Sequence, residues 1–95
     1  MGLLTATEIQ QALAGMPGCE RVGDAILRQY TLPGGFMGSV AFVNRLAEAA
    51  EAADHHPDLA ISWNRVTVTL STHSEGGITD RDLALAAEAD RLAAA

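Results

Sequence analysis

Residues 59–72 read LAISWNRVTVTLST, the most regular strand pattern in the chain. In the second half of this stretch apolar residues alternate with polar ones, so one face of an extended strand would be apolar and the other polar. An apolar run precedes the alternation, and Asn64-Arg65 lies between the two. We therefore predict two strands, residues 59–63 and 66–72, that pair as a hairpin.

A second hairpin is predicted upstream of the first. Residues 19–22 and 25–32 flank Gly23-Asp24, a dipeptide that suits the tight turns between antiparallel strands. The alternation is weaker here, because both faces of the second strand carry apolar and polar residues. Two hairpins predict a four-stranded antiparallel sheet.

Three helices are predicted around the hairpins. The first spans about residues 5–14, where Thr5 and Glu8 have the spacing of a capping box. The longest runs from Phe36 to Ala53, and Pro57 ends it because the residue before a proline is pushed out of the α region. Apolar positions in this helix step by three or four residues. They are Phe36, Val40, Val43, Ala47 and Ala50.

The last helix is predicted to open at Thr79 and to run close to the C-terminus. Asp82 stands three residues after Thr79, where a negative charge suits the positive end of the helix dipole. The complete order is α-β-β-α-β-β-α, which predicts an α+β two-layer sandwich with helices on one face of the sheet. We expect a single domain over residues 1–95, because 95 residues are too few for two.

Composition excludes several classes of function. The net charge is −6 and all six basic residues are Arg, so the chain lacks the basic surface that nucleic-acid binding and polybasic membrane anchoring need. The single Cys19 excludes an internal disulfide and a Cys-based zinc site. Neither a signal-peptide pattern nor a membrane-spanning apolar run is visible, so a cytoplasmic protein is expected. Because a short chain with a core rich in Ala buries little apolar area, we expect oligomerisation to add to its stability.

Histidines and carboxylates gather at and beyond the end of the longest predicted helix. Glu51 and His55 are four residues apart and can share a helix face. His55 and His56 lie where helix passes into strand, and His73 follows the strand that should return beside it. Asp82 opens the last helix from the same edge. All three histidines of the chain are therefore predicted to converge with carboxylates at one end of the sheet.

Three interpretations of this cluster are open. The histidines can be surface and capping residues, which are favoured near helix C-termini. With the carboxylates they can bind zinc or iron, although adjacent histidine side chains diverge and no His-x-His or His-x-x-x-His pair occurs. They can also transfer protons without a metal, because imidazole titrates near neutral pH and a neighbouring carboxylate fixes its tautomer. No Ser or Cys is placed as a nucleophile, so that chemistry would be elimination, hydration or isomerisation.

The same residues have the spacing of a known family. An acidic residue, a His-His-Pro, an aromatic, a later His and an Asp resemble the signature of the pterin-4a-carbinolamine dehydratases, also called the dimerisation cofactor family. In this chain they are Glu51, His55-His56-Pro57, Trp63, His73 and Asp82. The resemblance covers nearly the whole chain and is strongest over residues 51–85. It is weaker in the N-terminal half, where Gly18-Cys19 stands in place of the family's Gly-Trp.

The resemblance implies an enzyme that eliminates water from 4a-hydroxytetrahydropterin to give quinonoid dihydropterin, which serves tetrahydropterin recycling. It implies no metal and no cofactor, since the pterin is the substrate. His55, His56 and His73 would be the catalytic acid–base groups and would line the pterin site. The implied substrate-binding residues are Glu51, Pro57, Trp63 and Asp82.

More detailed roles follow from the resemblance for three of these residues. Glu51 would orient His55 or bind the pterin. Asp82 would hold a histidine or a donor of the pterin ring, and Trp63 would wall the pocket or serve as a core aromatic of the sheet.

Partners are implied by the resemblance as well. They are a second copy of the chain, in a homodimer or homotetramer, and an aromatic amino acid hydroxylase that forms the substrate. Proteins of this fold also act as non-catalytic binding or assembly modules, and fold does not fix function. The alternative is therefore a dimerisation or regulatory partner, but such a scaffold has no need of three histidines beside an acidic residue.

Overall fold

Residues 2–95, which the computed structural model describes, form three helices and four strands. In chain order these are α1 (Ala6–Ala14), β1 (Cys19–Val22), β2 (Ala25–Thr31), α2 (Gly35–Ala53), β3 (Asp58–Ser62), β4 (Arg65–Leu70) and α3 (Asp80–Ala94). A single 3₁₀ turn, His73–Glu75, lies between β4 and α3. The predicted element order and fold class are confirmed. None of the helices in residues 2–95 is long and apolar enough to cross a membrane.

The sheet has the strand order β1-β2-β4-β3, and every neighbouring pair is antiparallel. β2 and β4 form its centre, with Tyr30 opposite Val66. In the β3–β4 pair Asp58 is opposite Thr69, so the residues just before β3 lie beside those just after β4. This register brings the segments that carry the three histidines to one corner of the sheet.

The core lies between one face of the sheet and the helices. Alternate residues of β4 are buried, as are Ile26 and Tyr30 of β2, and the other residues of both strands are half-buried or exposed. Phe42 and Leu46 of α2 meet this face with no exposed surface, and Tyr30 stacks at a tilt on Phe42 with ring centroids 5.1 Å apart. Ala89 of α3 is also fully buried. The small residues of α3 thus let it pack close to α2.

The capping box predicted for α1 is present. The Thr5 hydroxyl accepts from the Glu8 backbone N–H at 3.1 Å, and the Glu8 carboxylate accepts from the Thr5 backbone N–H at 2.8 Å. Two N–H groups that the helix leaves without internal partners are thereby satisfied.

The face of α2 that packs on the sheet differs from the predicted one. The buried residues are Ser39, Phe42, Leu46 and Ala50, and Ala50 is the one member of the predicted stripe among them. Phe36, the first residue of that stripe, is 52% exposed. Apolar residues occur at helical spacing on two faces of α2, so spacing alone could not choose between them. Ser39 can be buried because its hydroxyl donates to the Trp63 carbonyl oxygen at 2.5 Å.

The turn between β3 and β4 lies one residue earlier than predicted. Trp63 and Asn64 form the turn, whereas Arg65 begins β4. Trp63 has a φ of 52°, a left-handed angle that a strand residue does not take. The Leu32 backbone N–H donates to the Asn64 carbonyl oxygen at 2.8 Å. Contacts distant in sequence therefore hold this turn, and they override the apolar pattern at the end of β3.

β4 ends at Leu70 rather than at the predicted residue 72. Thr72 instead forms an isolated bridge with Gly77, and its N–H donates to the Gly77 carbonyl oxygen at 2.8 Å. This bridge closes a short loop that contains His73. The loop returns the chain to the start of α3.

Candidate active site

The candidate site forms at the corner where α2 ends, β3 begins, β4 ends and α3 begins. Asp54, just after α2, takes a left-handed φ of 50°, and the His55 backbone N–H donates back into the last turn of the helix. From α3, Arg81 Nη2 donates to the Asp54 carbonyl oxygen at 2.5 Å. This sharp end to the helix separates two adjacent side chains: His55 is 7% exposed, whereas the His56 side chain is 56% exposed.

His55 is bound to a buried carboxylate. Its Nε2 lies 2.5 Å from Asp82 Oδ1, and Asp82 has no exposed surface. The pair joins the end of α2 to the first turn of α3. Because a carboxylate buried without partners is costly, Asp82 needs further donors.

Two threonines supply those donors. Thr72 Oγ1 donates to Asp82 Oδ2 at 2.8 Å, and the Thr79 backbone N–H donates to the same oxygen at 2.9 Å. The two hydroxyls are also bonded to each other, with 2.7 Å between their oxygens. All four residues of this buried network have at most 7% of their surface exposed. Asp82 thus serves at once as the capping-box carboxylate of α3 and as the partner of His55.

The second imidazole–carboxylate pair is exposed. His56 Nε2 is hydrogen-bonded to Glu51 Oε2, one turn back in α2. Sequence spacing suggested that Glu51 shares a helix face with His55. The structure pairs it with His56 instead, because α2 ends before His55 and the chain turns that ring inward.

His73 occupies the same corner from the other side. It begins the 3₁₀ turn directly after Thr72, whose hydroxyl binds Asp82, and its side chain is exposed. The antiparallel register of β3 and β4 sets this proximity. The predicted convergence of the three histidine-bearing segments at one end of the sheet therefore agrees with the structure.

Trp63 is not brought to this corner within one chain. It sits in the turn at the far end of β3, seven residues after His56, which is about 23 Å along an extended strand. Its indole packs beside Gly35 at the start of α2 and is 67% exposed. The expectation that Trp63 walls the pocket is therefore not met by a single subunit. Pro57, by contrast, is half-buried beside His56 at the corner itself.

A groove of about 490 Å³ runs along the outside of this corner between α2 and α3. His55 is the one imidazole among its lining residues, and Arg81 and Glu88 contribute charged groups. The remaining lining residues are Ala49, Ala52, Ala53, Ala84 and Leu85. His56 and His73 are not among the groove's lining residues, and both are exposed to solvent.

The arrangement is suited to proton transfer. Two of the three imidazoles are exposed, and one of these is bonded to a carboxylate that orients its ring. Within residues 2–95 no group of three or more His, Cys, Asp or Glu side chains is placed to hold a metal ion. Cys19 lies at the start of β1 and burial raises the pKa of its thiol, so it is not an activated nucleophile.

Three residues of the corner were not assigned to the site from sequence: Thr72, Thr79 and Arg81. The sequence indicated Thr79 only as a helix cap and residue 72 only as the end of a predicted strand. In sequence, each of them lies next to His73 or Asp82 or within three residues of one of them. This short separation is the feature that could have indicated their place in the site. Only the three-dimensional structure shows that the Thr72 hydroxyl binds Asp82, the partner of His55, and that Arg81 binds the Asp54 carbonyl oxygen.

This chain is similar in sequence to known proteins of nearly the same length. A family model described as pterin 4 alpha carbinolamine dehydratase matches residues 2–92. A protein of Thermosynechococcus vestitus is 52% identical over 90 residues, which covers 95% of this chain and 94% of that protein. One of Mycobacteroides abscessus is 54% identical over 90 residues and covers 95% of each chain. Both carry names that provisionally assign them as pterin-4-alpha-carbinolamine dehydratases.

Two solved structures share the fold. A transcriptional coactivator/pterin dehydratase from Brucella melitensis superposes with a TM-score of 0.90 at 37% identity, over 95% of this chain and 97% of that one. A pterin dehydratase-like protein identified as a RuBisCO assembly factor in the alpha-carboxysome has a TM-score of 0.65 at 22% identity, over 79% and 86% of the chains. At that identity the second structure supports the fold alone.

Proposed function

The chain belongs to the pterin 4 alpha carbinolamine dehydratase family, and from that premise we propose that it removes water from a 4a-hydroxytetrahydropterin. The product is the quinonoid dihydropterin, and the role is tetrahydropterin recycling. One observation carries the proposal. All three imidazoles of the chain are borne by segments at one corner, two of them bonded to carboxylates.

The reaction needs two proton transfers. The C4a–O bond breaks as an acid protonates the hydroxyl, which leaves as water. A base takes the proton from N5, and the N5 electron pair forms the new C4a=N5 bond. No electrons are exchanged with an outside agent, so we propose that no cofactor or metal takes part.

His56 and His73 are proposed to exchange these protons, since their side chains are exposed at the corner. Glu51 would orient the His56 ring through the hydrogen bond between its carboxylate and Nε2. Each imidazole can act as an acid in one form and as a base in the other.

His55, Asp82 and Pro57 are proposed to shape the site from behind and beside these groups. Asp82 has no exposed surface, so we assign it to holding His55 rather than to contacting a ring donor of the pterin. His55 remains a proposed acid–base group and substrate anchor, reached through its small exposed edge. The half-buried ring of Pro57 would form an apolar wall next to His56.

Self-association is part of the proposal, as a homodimer or homotetramer. Phe36 and Met37 at the start of α2 are 52% and 70% exposed, and Trp63 lies nearby against Gly35. Large apolar side chains left exposed on one part of a small subunit favour a protein–protein contact. An aromatic amino acid hydroxylase that supplies the carbinolamine is the second proposed partner, and the cytoplasmic location stays a prediction.

The test is a dehydration assay. A pterin-dependent hydroxylase generates the carbinolamine, and formation of the quinonoid product is followed by absorbance with and without this protein. Acceleration over the spontaneous reaction is expected. Folded protein that gives no acceleration would instead support the alternative, a non-catalytic binding or assembly module of the same fold.

A further inference from the structure

With Asp82 as a carboxylate, the buried network behind His55 has one consistent arrangement of hydrogens. Thr72 has a single hydroxyl proton, and it goes to Asp82 Oδ2. The bond between the two hydroxyls must therefore be donated by Thr79 to Thr72 Oγ1. Thr79 Oγ1 in turn accepts from the Arg81 backbone N–H at 3.2 Å. Each member donates towards Asp82.

This direction determines what Asp82 can do. Its Oδ2 receives two donors, from the Thr72 hydroxyl and the Thr79 backbone. Two donors at one oxygen favour the carboxylate form, in which Asp82 is an acceptor only. The contact of 2.5 Å between Asp82 Oδ1 and His55 Nε2 is then donated by the imidazole.

We propose that Thr72 and Thr79 are positioning residues that keep Asp82 an acceptor and thereby hold His55 with its proton on Nε2. The basic nitrogen that neutral His55 can offer to a substrate is then Nδ1. Within this hydrogen-bonded network, the Thr72 hydroxyl is the side-chain group that can be removed without changing the capping contacts of α3 or His55 itself. The kinetic part of the proposal rests on the proposed dehydration, whereas the tautomer part does not depend on any activity.

The geometry of Thr72 argues for a specific role beyond packing. It is 3% exposed and sits beyond the end of β4, where the backbone already has its own partner in Gly77. Burying a hydroxyl there is favourable only because it has both an acceptor and a donor. Val, which has the same shape without the hydroxyl, would leave Asp82 Oδ2 with the Thr79 backbone N–H alone.

The test combines spectroscopy and kinetics on the full-length protein. The histidines are labelled with ¹⁵N, and long-range proton–nitrogen correlations report which ring nitrogen of His55 carries the proton. Wild type is expected to show His55 as a single Nε2–H tautomer at neutral pH. A His55 that is protonated on Nδ1 instead would overturn the proposal, and this result requires no variant to fold.

Thr72→Val and Thr72→Ser form the matched pair. Thr72→Val is expected to show a mixture of His55 tautomers and, in the dehydration assay, about tenfold lower kcat with little change in KM. Thr72→Ser keeps the hydroxyl and is expected to restore both the tautomer and kcat. Thr69→Val, three residues earlier, in β4 and on the face of the sheet away from the core, is the control and should resemble wild type.

The outcomes separate the two proposals. A Thr72→Val protein whose His55 keeps the wild-type tautomer contradicts the positioning role, whatever its activity. A wild type that has the Nε2–H tautomer but does not accelerate dehydration contradicts the proposed function and leaves the hydrogen-bond assignment standing.

Discussion

His55 and His56 are adjacent in the chain, yet each binds its own carboxylate in a different environment. The His55–Asp82 pair is buried, and the His56–Glu51 pair is exposed to solvent. A buried imidazole bonded to a buried carboxylate is fixed in position, whereas an exposed one can meet a substrate. We therefore propose that His56 and His73 make the main proton exchanges with the substrate, and that His55 is an acid–base group held in a fixed position behind them.

Glu51→Gln tests the exposed pair. The amide keeps the shape of Glu51 and can still bond to His56, but it removes the negative charge beside the ring. We expect kcat for dehydration to fall about tenfold with an unchanged thermal midpoint. Steady-state kinetics on purified protein measure this. Glu48→Gln, an exposed position one turn earlier in α2, is the matched control and should retain full activity.

Equal kcat for Glu51→Gln and Glu48→Gln would show that the charge of Glu51 takes no part in the reaction. A loss of activity in both would point to the net charge of the helix rather than to the pair.

A second polar contact, outside the site, joins Tyr30 to Asp90. The Tyr30 hydroxyl donates to Asp90 Oδ1, and burial, followed by that hydrogen bond and the charge of Asp90, raises the pKa of Tyr30 well above its ordinary value. Above about pH 10 the unfolded chain loses this proton and the folded chain keeps it. Folding stability should therefore fall as the pH rises above about 10.

Urea unfolding at fixed protein concentration, between about pH 9 and about pH 11, measures this loss. Tyr30 is the single tyrosine and the chain has no lysine, so few other groups titrate there; Cys19, whose pKa burial also raises, is the main one. Tyr30→Phe should be less stable at neutral pH by about 1 kcal/mol and should lose less stability at high pH. A slope identical to that of wild type would contradict the role of Tyr30.

Among the site residues, sequence could predict which segments meet but not which atoms pair. The positions of His55, His56, His73 and Asp82 follow from element order and antiparallel register. The partner of Glu51 does not, because it depends on the left-handed turn at Asp54. The role of Thr72 depends on a bridge to a residue five positions later.

At the scale of elements, α2 approaches the loop before it unusually closely. A Cβ added at Gly38 would lie 1.8 Å from the Pro33 carbonyl oxygen, which is backbone and cannot move aside. This contact sets where α2 starts and therefore where, about four turns later, the helix places Glu51 at the corner.

Gly38→Ala is therefore expected to be destabilised by about 2–3 kcal/mol, despite the better helix propensity of alanine. Urea denaturation measures the change. Gly15→Ala is the matched control, since the nearest atom to its added Cβ is 3.7 Å away and little change should result. A Gly38→Ala protein as stable as wild type would mean that α2 can shift away from Pro33 without cost.

The strands and helices were predictable because their patterns are local. The regular alternation of β4 and the capping residues Thr5 and Thr79 act within a few positions. The buried face of α2 was not, because two apolar stripes compete and the choice depends on the Ser39 bond to the Trp63 carbonyl. The turn at Trp63 was predicted one residue too late, because contacts with residues distant in sequence hold it.

At the scale of the whole molecule, the subunit leaves large apolar side chains uncovered. Phe36, Met37 and Trp63 are all more than half exposed, and the sheet ends in two edge strands. Because an exposed apolar surface favours association, we expect a stable dimer or tetramer at about micromolar concentration. Sedimentation velocity measures this, and a monomer over the whole concentration range would contradict the expectation.

The dehydration rate of His56→Ala relative to wild type tests the central claim most directly, namely that the histidine corner transfers the protons of dehydration. Removal of an acid–base group should lower kcat/KM about a hundredfold or more, while circular dichroism shows an unchanged fold. His73→Ala is expected to behave in the same way, because both side chains are exposed at the corner. A folded His56→Ala protein that dehydrates the carbinolamine at the wild-type rate would contradict the account.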